Sequence, residues 1–189
     1  MSRRRPACGR VALVVVLVLL ASGCQNRFGI VGDSVTYDAR EELSAHRGYV
    51  RAYGGVDIRA ARPELRRMAH DGIRVVVSAV GSFDVAYETP PGELRRRLRN
   101  AMGDTTSVPC VIWLDQNENP NVHAQWPAHA AAYNRLLREV AADHGVRVAN
   151  WSRLAAQHRS WFRADGIHFR PVGERGYADF VSRSVNQLC

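Results

Sequence analysis

The chain has 189 residues, 46% of them hydrophobic, and a formal net charge of +8 at pH 7. A chain of this length can bury one sizeable core, so a single domain is expected. All 26 basic residues are arginines, and they are scattered over the predicted helix faces rather than gathered with aromatic residues. This distribution argues against a nucleic acid as the partner.

The N-terminal segment departs from that globular composition. Four arginines precede an apolar run over 11–21, which small residues follow, and this is the layout of a signal peptide. The run is shorter than the roughly 20 apolar residues that cross a hydrocarbon core, so a permanent membrane span is the weaker alternative. We predict a signal peptide over 1–23 and an exported domain over 24–189, which keeps 22 arginines against 18 acidic residues.

The end of this segment also bears on where the protein resides. The stretch Leu20-Ala21-Ser22-Gly23-Cys24 resembles the lipobox of bacterial lipoproteins, in which the cysteine is acylated. We therefore predict lipidation of Cys24 and attachment to the membrane surface, with cleavage to a secreted protein as the alternative. Cys110 and Cys189 could then pair in an oxidising compartment, or Cys110 could stay a free thiol in an apolar strand.

Strand-like and helical segments alternate along the rest of the chain. Short apolar runs predict strands over 28–31, 49–53, 74–80, 108–114 and 146–150. Helical spacing predicts helices over 37–46, 63–70, 92–102, 128–144 and 172–187, with Pro63 near a helix start. Such alternation favours an α/β fold, a three-layer sandwich with helices on both faces of a parallel sheet.

Residues able to do chemistry follow the strand ends, where open α/β sheets bind ligands. Ser34 comes directly after the first strand, and Asp165 and His168 share one loop before the last helix. A serine becomes a good nucleophile when a histidine takes its proton and a carboxylate orients that histidine. Neither motif alone is strong evidence for a catalytic site, because Ser34 could be a helix cap and an Asp-x-x-His sequence often occurs by chance.

The combination is more specific than its parts. Gly32-Asp33-Ser34 and Asp165-x-x-His168, in this order and separation, resemble the first and last blocks of the SGNH (GDSL-like) hydrolase family. The stretch 161–168, followed by Pro171, Gly173 and Tyr177, is similar to the acyltransferase-like branch of that family, which includes peptidoglycan O-acetyltransferase domains. The resemblance implies a flavodoxin-like sheet of order 2-1-3-4-5, a catalytic triad of Ser34, His168 and Asp165, and neither metal nor other cofactor.

The same resemblance implies an oxyanion hole with three donors. Two are the backbone N–H of Ser34 and that of a glycine after the second strand, for which Gly54 is favoured and Gly55 lies next to it; one of these glycines could instead only relieve a turn. The third should be an asparagine, but Phe83 stands at that position and cannot donate a hydrogen bond. One lost donor typically costs about 2.7 to 4 kcal/mol of transition-state stabilisation.

Three polar residues are candidates for the missing donor. Ser82 precedes Phe83, and Asn117 and Asn119 lie in the extended loop over 115–127. Loop asparagines more often support turns than catalysis, so a structural role is the alternative. His123 and His129 are weaker candidates for a functional role, because they lack the spacing of metal ligands. Trp113, Trp126 and Trp161 could line a sugar or acyl site or belong to the core.

Together these features predict an exported serine esterase or O-acyltransferase that acts on small acyl esters of the acetyl type. Its substrate is expected to be a small-molecule or glycan ester, with cell-envelope carbohydrates as the favoured class. Because Phe83 weakens the oxyanion hole, a weakly active or inactive SGNH-fold protein that binds the envelope is the alternative. Lipase action on long acyl chains is disfavoured, since the chain has no lid-sized insertion.

Overall fold

A computed structural model describes residues 28–119 and 121–189; the predicted signal peptide over 1–23 and Cys24 lie outside the described residues. Five strands form one parallel sheet of order β2-β1-β3-β4-β5. The strands are β1 (Phe28–Gly32), β2 (Gly48–Ala52), β3 (Val75–Ala79), β4 (Cys110–Leu114) and β5 (Arg147–Ala149). The predicted fold class and strand order are therefore confirmed.

Eight α-helices and one short 3-10 turn over Arg159–Trp161 surround this sheet in the described part of the chain. The helices are α1 (Ser34–Asp38), α2 (Arg40–Ala45), α3 (Ile58–His70), α4 (Ser82–Ala86), α5 (Pro91–Gly103), α6 (Trp126–His144), α7 (Trp151–Gln157) and α8 (Pro171–Leu188). No helix among these residues combines the length and the apolar character needed to span a bilayer.

Two hydrophobic cores lie on opposite faces of the sheet. Neighbouring strand residues alternate between them, because successive side chains of a strand point to opposite faces. Val76 packs in one core with α3, α5 and α6, whereas Val77 packs in the other with α2, α7 and α8. Helices that cover both faces of the parallel sheet give the predicted three-layer sandwich.

Two of the predicted helices have different boundaries in the structure, and the short helices α4 and α7 were not predicted. The predicted helix over 37–46 is two helices, α1 and α2, which meet at Ala39. Pro63 does not begin a helix but lies inside α3, which starts five residues earlier behind the cap Asp57. The side chain of Asp57 accepts a hydrogen bond from the N–H of Ala60 at 2.7 Å, and this cap fixes the true helix start.

The two edges of the sheet have different roles. A disulfide joins Cys110 to Cys189 with 5.9 Å between their Cα atoms, so the pairing that the sequence left open is formed. Cys110 is the first residue of β4, which places this disulfide at the amino edge of the parallel sheet. Ser34 follows the end of β1 at the opposite, carboxyl edge.

Candidate active site

Ser34 is presented by a tight turn between β1 and α1. Gly32 ends the strand, and a Cβ at this position would collide with the side chain of Thr36, so the close approach of the helix requires glycine. Asp33 caps α1 by accepting a hydrogen bond from the N–H of Val35 at 3.1 Å. The serine is therefore the first residue of the helix, and its half-buried side chain lies at the carboxyl edge of the sheet.

The loop that carries Asp165 and His168 is held by its own hydrogen bonds. One carboxylate oxygen of Asp165 accepts from the backbone N–H groups of Ile167 and His168, both at 2.9 Å. Gly166 adopts a φ of 71°, in the left-handed region that favours glycine. The N–H of Arg163 donates to the carbonyl of His168 at 2.8 Å and closes the loop.

The structure brings the three side chains of the predicted triad together. Nε2 of His168 lies 3.0 Å from Oγ of Ser34, and Nδ1 lies 2.9 Å from Oδ2 of Asp165. Burial opposes the charge of Asp165, but the hydrogen bonds from the two backbone N–H groups and from the His168 ring lower the pKa of this carboxyl below its ordinary value. Asp165 is thus an ionised acceptor that orients the imidazole toward the serine.

The three candidates for a replacement oxyanion donor are engaged elsewhere. Ser82 donates to Oδ2 of Asp33 through its hydroxyl at 2.6 Å and its N–H at 3.2 Å. The side-chain amides of Asn117 and Asn119 both donate to the carbonyl oxygen of Gly166, at 3.2 and 3.1 Å. The two asparagines therefore support the loop between Asp165 and His168, which is the structural alternative considered from the sequence.

The glycine loop after β2 lies beside the end of β1. The N–H of Tyr53 donates to the carbonyl of Gly32 at 3.1 Å, which places Gly54 and Gly55 next to the turn that bears Ser34. Gly55 has a φ of 69° and is needed for the turn, whereas Gly54 has no positive φ. A Cβ on Gly55 would lie 3.7 Å from Cε2 of Phe83, so Phe83 lies against this loop.

Three aspartates at the carboxyl edge are buried, which the sequence pattern did not predict. Asp33, Asp84 and Asp115 are 1 to 2% exposed, and burial raises the pKa of each carboxyl despite its hydrogen bonds. Asp84 accepts from the N–H of Ile58 at 2.9 Å and from Arg97 at 2.8 Å, which ties α4 to the start of α3 and to α5. An aspartate that follows a buried strand is the sequence signal that marks such positions.

A small cavity of about 30 Å³ lies behind the triad, bordered by Asp33, Val35 and Ile167 among others. It has room for one or two water molecules and not for an acyl chain. Trp126 lines this cavity, whereas Trp113 is fully buried in the core and Trp161 stacks on His158 at 4.1 Å. In the part of the chain that the structure describes, no group of three or more metal-ligating side chains is placed to hold an ion.

The sequence also matches a known protein family. The sequence profile of the GDSL-like Lipase/Acylhydrolase family matches residues 19–175. The chain belongs to this family. It is therefore a GDSL-like hydrolase with the SGNH fold. No curated protein sequence matches it closely enough to count as a relative.

Solved structures share the fold of this GDSL-like hydrolase at low sequence identity. The hydrolase LAE5 from the Lake Arreo metagenome is 19% identical with a TM-score of 0.69, over 88% of this chain and 97% of that one. The catalytic domain of Streptococcus pneumoniae peptidoglycan O-acetyltransferase A is 18% identical with a TM-score of 0.70, over 88% and 96%. The acetylxylan esterase Axe2 from Geobacillus stearothermophilus is 13% identical with a TM-score of 0.64, over 84% and 93%.

Proposed function

We propose that this GDSL-like hydrolase is an exported serine esterase or O-acyltransferase that acts on acetyl-type esters of cell-envelope carbohydrates. The observation that carries the proposal is the continuous chain of hydrogen bonds from Ser34 through His168 to Asp165, with contacts of 3.0 and 2.9 Å. Nucleophile, base and orienting carboxylate have the geometry that acyl transfer by a serine requires.

In the proposed mechanism His168 acts through Nε2 as general base. It takes the proton of the Ser34 hydroxyl while Oγ attacks the ester carbonyl, and Asp165 stabilises the resulting imidazolium through Nδ1. The tetrahedral intermediate collapses when His168 returns the proton to the departing alcohol, which leaves an acetyl group on Ser34. Water then releases acetate, or a sugar hydroxyl takes the acetyl group, by the same steps in reverse.

The oxyanion of the intermediate would be held by backbone donors. We assign this role to the N–H of Ser34 and to that of Gly54, with Gly55 next to it. Phe83 supplies no third donor, so the enzyme is expected to work roughly a hundredfold to a thousandfold below the rate of a site with the full set.

Two kinds of observation support the substrate class and the location. Among proteins of the same fold, one is named a peptidoglycan O-acetyltransferase and another an acetylxylan esterase. The signal-peptide layout of 1–23 and the disulfide between Cys110 and Cys189 both fit an exported protein, since oxidising compartments preserve such bonds. Lipidation of Cys24 would attach it to the membrane surface.

The proposal is tested with purified protein, an acetyl ester and a serine-directed phosphonate. The wild-type protein should release acetate and be labelled by the phosphonate. Ser34→Ala should do neither, but it should keep the circular dichroism spectrum and the melting temperature of the wild type. Equal turnover by the two proteins would exclude Ser34 as the nucleophile.

Because Phe83 cannot donate to the oxyanion, one further candidate function is binding of envelope carbohydrate with little or no catalysis. This candidate is distinguished by the wild type alone. Binding of an O-acetylated glycan without acetate release and without phosphonate labelling supports it, and labelling of Ser34 excludes it.

A further inference from the structure

Exposed tyrosines are gathered on the segments that follow three adjacent strands. Among the described residues, four large hydrophobic side chains are exposed, and three of them are Tyr37, Tyr53 and Tyr87. They lie on α1, on the glycine loop after β2, and directly after α4, which follows β3. Segments that follow the carboxyl ends of the strands border the place where open α/β sheets bind ligands, so exposed aromatic side chains there are candidates for contact with a ligand.

Two aromatic rings form the most continuous part of this surface. The ring of Phe83 is half-buried, and its centroid lies 4.3 Å from that of Tyr87 with 35° between the planes. Tyr87 is 70% exposed, the highest exposure of any large hydrophobic side chain in the described part of the chain. Because Phe83 also lies against Gly55, the pair extends from the glycine loop out to solvent.

The inner end of this aromatic pair is held close to the nucleophile. Ser82, the residue before Phe83, donates two hydrogen bonds to the carboxylate of Asp33, and Asp33 directly precedes Ser34. The contact is partly buried, and it fixes the first turn of α4 to the turn between β1 and α1. A molecule packed against this pair would therefore lie beside the turn that bears Ser34.

We infer that the stacked pair of Phe83 and Tyr87 forms a platform, with the exposed ring of Tyr87 as the face that a sugar ring of the substrate packs against, so that an O-acetyl group on this sugar reaches Ser34. The inference rests on the proposed function and names the residues that select its substrate. An aromatic face packs against the C–H face of a saturated sugar ring, and the Tyr87 hydroxyl can bond to a sugar hydroxyl. Phe83 then has a binding role at the position where the family's asparagine would donate to the oxyanion.

The occupant of the platform is the alcohol part of the ester and not its acyl chain. The surface is open to solvent, whereas the cavity bordered by Asp33 and Val35 measures only about 30 Å³. A long acyl chain gains most from an enclosed apolar cleft, because its stabilisation grows with the apolar area removed from water. A sugar ring needs only one flat aromatic face to pack against.

The first test compares two esters that differ only in the alcohol, methyl 6-O-acetyl-glucoside and ethyl acetate. Tyr87→Ala should raise KM for the sugar acetate roughly five- to tenfold, the usual size of one aromatic contact, and leave kcat and all constants for ethyl acetate unchanged. Tyr87→Phe keeps the ring and should retain most of the affinity. The control is His70→Ala, which removes an 89% exposed ring from the far end of α3.

The second test measures binding without turnover. In a Ser34→Ala background, the dissociation constant of methyl 6-O-acetyl-glucoside is determined by NMR titration with and without Tyr87→Ala, which should weaken it by the same five- to tenfold. Equal dissociation constants, or equal KM changes for both esters, would overturn the platform. Absence of turnover by wild type together with Tyr87-dependent binding would instead refute only the proposed catalysis.

Discussion

The hydroxyl of Ser34 and the imidazole of His168 are 134 positions apart in the sequence, and 3.0 Å separates Oγ from Nε2. The parallel sheet creates this contact, since Ser34 follows β1 and the loop of His168 packs over the same carboxyl edge. The loop itself is ordered by local bonds and by two asparagines from a third segment. Each of these supports can be tested separately.

The first prediction concerns the tautomer of His168. In Asp165→Asn the remaining oxygen can still accept from the two backbone N–H groups, but the new amide presents a donor to Nδ1 and favours the wrong imidazole tautomer. The kcat for an acetyl ester should fall roughly 10³- to 10⁴-fold with little change in thermal stability. Steady-state kinetics and a melting curve measure the two effects, and a loss below tenfold would contradict the assigned role.

A second prediction compares two glycines with the same backbone conformation. Gly166 and Gly72 both have a φ of 71°, but a Cβ on Gly166 would lie 3.0 Å from the N of Val122, whereas a Cβ on Gly72 would meet nothing within 4 Å. Both alanine variants should lose about 1 to 2 kcal/mol of unfolding free energy. Only Gly166→Ala should also lower kcat, because it displaces the loop of the triad.

Urea denaturation and ester kinetics on the two glycine variants separate backbone strain from loop displacement. If Gly72→Ala lowers kcat as much as Gly166→Ala does, the loss reflects general destabilisation. The same assay applies to Asn119→Ala, which removes one of the two donors to the carbonyl of Gly166. It should lower kcat without changing KM, since Asn119 acts only through the loop.

The third prediction restores the oxyanion donor that the chain lacks. Phe83→Asn should raise kcat for ethyl acetate by up to about a hundredfold, which is the lower range for one such donor. For the sugar acetate the same variant should raise KM, because the ring is lost. A fall in kcat for ethyl acetate would show that Phe83 does not occupy a position from which the oxyanion is reached.

A fourth prediction concerns the disulfide at the amino edge. It links residues 79 positions apart, and closing a loop of this length stabilises the folded state by about 4 kcal/mol in the chain-entropy view. Cys189→Ser should lower the free energy of unfolding by about this amount in a urea titration. Activity at 25 °C should stay unchanged, because Cys110 begins β4 at the edge opposite Ser34, and a selective loss of kcat in the folded variant would argue otherwise.

The fifth prediction is a pH dependence of stability. Burial raises the pKa of Asp115, so its folded carboxyl binds a proton more tightly than the unfolded one, whose pKa is about 3.9. This contribution to stability is complete below about pH 3.9 and is lost as the pH rises through the raised pKa. The advantage of wild type over Asp115→Asn in unfolding free energy should therefore shrink between pH 4 and pH 7.

Asp165→Asn is the matched control for that experiment. The pKa of Asp165 is lowered, so its contribution is present above about pH 3.9 and is lost only as the pH falls through the lower folded value. Its difference from wild type should stay constant from pH 4 to pH 5, below the range in which an imidazole partner ordinarily changes charge. A constant difference for Asp115→Asn as well would contradict the raised pKa.

Much of this arrangement could be predicted from the sequence, because its determinants are local. Each strand is a short apolar run, Ser34 follows the first predicted strand, and Asp165 and His168 lie in one loop before the last predicted helix. The short helix α4 was not predicted, because its five residues are too few to show a helical spacing of apolar side chains. The partners of Asn117 and Asn119 were missed because Gly166 lies 49 and 47 positions away, and only the folded sheet brings them together.

The direction of β1 has a consequence for how the enzyme would meet its substrate. The strand starts at Phe28, only a few residues after Cys24, and runs toward Ser34. If Cys24 carries the proposed lipid, the anchor would hold the protein by the amino edge of the sheet and turn the triad away from the bilayer. A purification tag placed after Cys189 would extend from the same amino edge and would not block access to Ser34.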